Sequence, residues 1–131
     1  LIMPILAAFP PAARVVGEAL ASVGTVVGET GLNLQSQLAG GARVVRVRRI
    51  GGDDDRITDA ARVDVDVYAV DLSTAEAGAE AARQLLISGP VATSRGILDR
   101  ADTEVAPHEV PSPDPDAYRV VSATYRVSVR R

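Results

Sequence analysis

Three stretches of this chain alternate valine with polar residues, and that alternation most constrains what it can fold into. In "ARVVRVRRI", Val45 and Val47 alternate with Arg46 and Arg48. In "ARVDVDVYAV", Val63, Val65, Val67 and Ala69 alternate with Arg62, Asp64, Asp66 and Tyr68. Near the C-terminus, Val121, Ala123, Tyr125, Val127 and Val129 alternate with Ser122, Thr124, Arg126, Ser128 and Arg130. A period of two puts successive side chains on opposite faces, so each stretch predicts a strand with one buried face. The intervening "GGDDDRITDAA" supplies a turn between the first two. Folding them back antiparallel around residue 56 sets Arg48 against Asp64 and Arg46 against Asp66. Opposed charges across a strand pair contribute roughly 0.2–1 kcal/mol each. This accounts for both aspartates without any chemistry.

Helical signals flank the strands. After Pro10-Pro11, Val15, Val16, Leu20 and Val23 recur at helical spacing and Gly24 can end the run, predicting a helix over 11–23. In "DLSTAEAGAEAARQLLIS", Ser73 followed by Glu76 reads as a capping box, predicting a helix over 74–88 that Gly89-Pro90 ends. Ala75, Gly78, Ala79, Ala82 and Leu86 form a stripe small enough to sit close on a sheet. Between these signals, 24–41 carries glycines and no strong period. Leu32 and Leu34 suggest a strand there, and Leu34 and Leu38 a helical turn; the segment is expected as an extended arm or long loop. The C-terminal part predicts a hairpin, with an irregular strand over about 97–109, a proline-rich turn at 111–116 and the clear final strand.

These elements predict a single α+β domain over 131 residues, in the order α-β-β-α-β-β, with helices packed on a mainly antiparallel four-stranded sheet. Residues 1–10 form an N-terminal tail, and 42–131 carry the sheet and the capped helix. A domain of this length buries roughly two-thirds of its unfolded surface, enough for one core without staples. The tail, "LIMPILAAFP", is broken by Pro4 and Pro10 and falls short of the ~20 apolar residues of a membrane span. A mobile or docking terminus is expected instead, and no membrane partner.

Composition removes whole classes of chemistry. The chain has no cysteine, hence no thiolate nucleophile, disulfide or cysteine-ligated zinc. It has no lysine either, since all 14 basic residues are arginine, so Schiff-base catalysis is absent. A net charge of −3 argues against sequence-specific nucleic-acid binding. His108 lies in "VAPHEV" with no triad partner that the sequence identifies. Asp53, Asp54 and Asp55 are consecutive, so their side chains diverge. A calcium loop instead needs carboxylates at alternate positions and a distant Glu. No catalytic, metal or cofactor-binding residue is therefore expected. The tip aspartates read as surface or interface.

The order and spacing of "ARVVRVRRIGG", "ARVDVDVYAVDLSTAEAGAEAARQLL" and "YRVVSATYRVSVR" resemble the tail terminator, or tail completion, proteins of long-tailed bacteriophages, those of actinobacterial phages in particular. The resemblance covers about residues 11–131. It implies a non-enzymatic virion protein of the tail-neck region, assembled in the host cytoplasm. It implies a hexameric ring that caps the tail tube, stops its polymerisation and joins the tail to the head-side connector, with DNA passing through. In such a ring Asp53, Asp54, Asp55 and Arg56 are expected at ring-to-ring contacts with tube protein or connector. A head-completion or neck adaptor ring, a tail tube protein and, remotely, a small α+β enzyme stay open as alternatives.

Overall fold

A computed structural model describes residues 11–28, 30, 33–54 and 58–130. Helix α1 spans Ala12–Ala19, strand β1 Thr25–Val27 and the short helix α2 Leu34–Gln37. Strands β2 (Val44–Asp54) and β3 (Asp59–Ala69) follow, then helix α3 (Leu72–Ile87) and strands β4 (Val91–Thr93), β5 (Gly96–Val110) and β6 (Arg119–Arg130). All strands belong to one six-stranded sheet in the order β1-β2-β3-β6-β5-β4, curved as a half-barrel. β1 runs parallel to β2, and every other pairing is antiparallel.

The four-stranded, mainly antiparallel sheet with helices packed on it, expected from the sequence, is thus corrected to a six-stranded mixed sheet in a chain that is mostly strand with few helices. The two extra strands have three residues each. A run that short cannot display a period of two, so alternation could not reveal it.

Segment 24–41, expected as an arm, is folded onto the sheet over its described residues. Thr25–Val27 pair with Val44–Arg46. α2 turns Leu34 and Leu38 into a small cluster with Val44, Tyr68 and Val120, supported by Val27, Val110 and Tyr118. Helix α1 ends at Ala19, short of the expected residue 23. The chain must turn early to lay β1 beside β2, and Thr25 N–H donates to Arg43 O at 3.0 Å as it does so. A Cβ on Gly24 would stand 2.5 Å from that same carbonyl oxygen, so only glycine permits the approach.

The two sheet faces differ in kind. On one, Val45, Val47, Val63, Val65, Val67, Val121, Ala123, Tyr125, Val127 and Val129 are buried beneath α1 and α3. α1 and its C-cap contribute Val15, Val16 and Leu20, and α3 contributes Ala75, Ala79, Ala82 and Leu86. Small α3 residues let the helix lie close on the valine surface, where a Cβ on Gly78 would stand 3.0 Å from Val67 Cγ1, and Leu86 is fully buried. The cap of α3 also differs from the expected box. Asp71 is the N-cap and its carboxylate accepts from Thr74 N–H at 2.7 Å, so Ser73 and Glu76 lie inside the helix. An aspartate at this position satisfies a free N–H and complements the helix dipole as well.

Candidate assembly interface

The other sheet face carries the alternate positions of the same strands, and here the valine partners are charged. Arg46 stands opposite Asp66 and Arg48 opposite Asp64. Arg46 donates to Asp66 Oδ2 from Nε (3.0 Å) and Nη2 (2.6 Å), and the aspartate is nearly buried. Burial is the largest single influence and works against the Arg46 charge, but the hydrogen bond to Asp66 and the electrostatic attraction of Tyr68, Asp66 and Asp64 together outweigh it and raise the guanidinium pKa. The Arg48–Asp64 contact is longer, 3.5 Å, and its arginine is more exposed. Asp64 also accepts from the Thr124 hydroxyl at 2.6 Å, which ties β3 to β6.

Further along this face, Arg62 on β3 pairs with Arg126 on β6. Two facing guanidinium groups would repel, and Glu104 from β5 relieves this. It accepts from Arg62 Nε at 2.8 Å and from Arg126 Nε at 3.1 Å. The Arg62 hydrogen bond is the main influence holding the Glu104 carboxyl below the usual range. Glu104 was not singled out from the sequence, because β5 changes register on both sides of Val105 and its alternation is scrambled. Arg130 and Asp99 complete the row at 2.7 Å.

At the hairpin end, β2 reaches Asp54 opposite Asp59 after a register shift between Arg49 and Gly51. Asp59 is buried on the helix-clad side and receives both Arg49 Nη atoms, at 2.5 and 2.9 Å. Asp53 lies exposed on the ion-paired side, opposite Ala60. Asp55 and Arg56 lie outside the described residues, as does the side chain of Asp54. His108 is exposed, its Nδ1 2.9 Å from Ala106 O. Among the described residues no group of three or more His, Asp or Glu side chains is placed to hold a metal ion. Nor is any described helix long and apolar enough to cross a membrane.

The sheet is open at both sides. β1 covers β2 only at Val44–Arg46, and β4 covers β5 only at Gly96–Leu98. Beyond those points the outer edges of β2 and β5 have no partner strand among the described residues. Ile50 and Val105, two of the exposed large apolar side chains, sit one on each open edge.

No curated protein sequence matches this one. Among solved structures, a chain in the virion of a native gene transfer agent particle shares the fold. Its TM-score is 0.54 at 18% identity, over 92% of this chain and 87% of that one. The sequence profile of phage tail termination proteins matches residues 1–131, the whole length in which the arginine-valine and aspartate-valine strands lie. An ion-paired sheet with open edges and a helix-clad back is therefore the form taken here by a structural component of the bacteriophage virion, and the chain belongs to the phage tail termination protein family.

Proposed function

We propose that the chain assembles into a closed, hexameric ring on the last ring of the tail tube, stops tube polymerisation there and presents its other side to the head-side connector in the neck. Assembly takes place in the host cytoplasm, and the ring leaves a channel through which DNA passes. The observation that carries this reading is the ion-paired face, in the setting of family membership. Arg46–Asp66 and Arg48–Asp64 are neutral pairs, and Glu104 offsets one of the two guanidinium charges it bridges, Arg62 and Arg126, so the polar surface is largely charge-compensated. Such a surface suits a channel wall or subunit boundary, because it is wetted yet most of its charge is compensated, which leaves little field to trap a polyanion. A ring also requires a heterologous, closing contact between two different patches of each copy. The two open sheet edges differ from each other, as that contact demands.

Asp53, Asp54, Asp55 and Arg56 at the β2–β3 tip contribute to a ring-to-ring contact in this reading. Replacing the three aspartates by asparagine is expected to weaken stacking on tube protein and leave the fold intact. Native mass measurement and negative-stain imaging, with and without tail tube protein, test the whole proposal. Closed sixfold rings that cap tubes support it. Open tubes formed by this chain alone, or a monomer that never associates with tube protein, overturn it.

A further inference from the structure

We infer that neighbouring copies join edge to edge, residues 47–54 of β2 in one copy pairing antiparallel with residues 99–106 of β5 in the next. The inference rests on the ring reading above and specifies its subunit contact. It starts from strand direction. The long strands lie in the order β2, β3, β6, β5 and alternate in direction at each step. Rotation about an axis running roughly along the strands preserves direction, so β5 of one copy meets β2 of the next antiparallel. The hydrogen-bonding pattern of the meander then continues across the junction without a mismatch.

The bare stretches also lie at the same height. The registers place Leu98, Val129, Asp59 and Asp54 on one row, and Val105, Thr124, Asp64 and Arg48 on another. Residues 99–106 therefore face the level of residues 54–47. Below that band, the row of His108, Ser122, Asp66 and Arg46 is where β1 already covers the β2 edge, ending at Val27. A neighbouring β5 has to leave the pairing there. Pro107, which has no N–H to offer, and the register shift between Val105 and His108 stand at that point. At the top, β4 occupies the β5 edge only from residue 98 upward, level with the end of β2. Each covering strand stops where the complementary open stretch begins.

Side chains on the two edges suit one another. Ile50 and Val105 are each about 40% exposed, 39% and 42%, on edges that natural sheets normally blunt with charge. The β2 edge carries Asp53, exposed on the ion-paired side. The β5 edge offers Arg100 on the same row and face, three-quarters exposed and bonded only to Asp102 of its own strand among the described residues. The second copy of this chain is thus a partner of matching direction, extent and charge.

The absence of cysteine from the sequence makes the test clean. Two pairs share a row and a face: Arg48→Cys with Val105→Cys, and Asp53→Cys with Arg100→Cys. Single-cysteine variants are mixed in equal amounts with tail tube protein present, oxidised and run without reductant; circular dichroism checks the fold of each. Heterotypic dimers roughly tenfold stronger than homotypic ones are expected, as the effective concentration at a fixed contact requires. A protein carrying both cysteines of a pair should give a ladder ending at the closed ring. Sixfold rings in the microscope without heterotypic cross-links in either pair would sink the edge pairing and leave the ring reading standing. Absence of both rings and cross-links overturns the two together.

Discussion

Arg62 and Arg126 face each other across β3 and β6, and the Glu104 carboxylate lies between them, accepting one hydrogen bond from each Nε. Three side chains from three strands share one interaction, so their substitutions should not add. Glu104→Gln is expected to lower the melting temperature, since it leaves two guanidinium groups opposed. Arg126→Gln should lower it in the natural sequence but leave it unchanged, or raise it, in the Glu104→Gln background. A thermal double-mutant cycle reads this change of sign. Equal effects of Arg126→Gln in both backgrounds would mean that the arginines do not feel each other.

The two cross-strand pairs on β2 and β3 look alike in sequence and differ in worth. Asp66 has an 8% exposed side chain and holds Arg46 through two nitrogens, whereas Arg48 is 53% exposed and 3.5 Å from Asp64. Removing one partner of a well-buried pair costs about 3–5 kcal/mol. Arg46 retains some access to water, so about 2 kcal/mol is expected for Asp66→Ala. Arg48→Gln should cost under about 1 kcal/mol. Urea denaturation of the two variants measures both, and a reversed ranking would contradict the burial argument.

That contrast shows how far the sequence could be read. Alternation is a local property, so it identified the long strands β2, β3 and β6, their buried faces and the side on which Asp64 and Asp66 stand. It could not expose β1 and β4, whose three residues each carry no period. It also missed Glu104, because bulges along β5 detach sequence parity from sheet face. The α2 turn was visible as Leu34 and Leu38 four apart. Its covering of Tyr68 and Val120 depends on a fold-back that no local signal encodes.

The α3 cap offers a discrimination between neighbours. Asp71 accepts from both the backbone N–H and the hydroxyl of Thr74, at 2.7 and 3.0 Å, which holds its carboxyl below the usual range. Asp71→Ala should lower the melting temperature, because it frees an N–H in the first turn. Ser73→Ala, within the helix, should leave it nearly unchanged. A larger loss at Ser73 would restore the capping box read from the sequence.

Gly52 fixes the hairpin that carries the tip aspartates. Its φ is 118°, and a Cβ there would approach Ala60 O to 2.1 Å and Ala61 Cα to 2.7 Å. Both contacts are backbone, so neither can swing aside. Gly52→Ala is expected to cost on the order of 2–3 kcal/mol. It should also displace Asp53, weakening any contact made by the tip. Hydrogen exchange along β2 and β3 checks the local effect, and unchanged protection of Gly51–Asp53 and Ala60–Ala61 would refute it.

Acid should destabilise the fold through its bonded carboxylates, and Glu80 gives the clearest case. Hydrogen bonds from Arg83, then Gln84, lower its pKa from the ordinary 4.5 to about 2. Arg62 lowers that of Glu104, and the backbone and hydroxyl of Ser94 lower that of Glu18. Folding depresses each pKa, so the unfolded chain binds more protons in this range. The contribution is complete above about pH 4.5 and is lost as pH falls through the folded value. Stability should therefore decline from about pH 4.5 towards 2 and be flat in this respect near neutrality. Glu80→Gln is expected to shrink the difference in urea midpoint between pH 7 and pH 3. High salt should shrink it too, because Glu80 and Arg83 sit at the surface, where ions screen them. A variant that kept the whole acid response would assign it to other carboxylates and leave the Glu80–Arg83 pair without a role in stability.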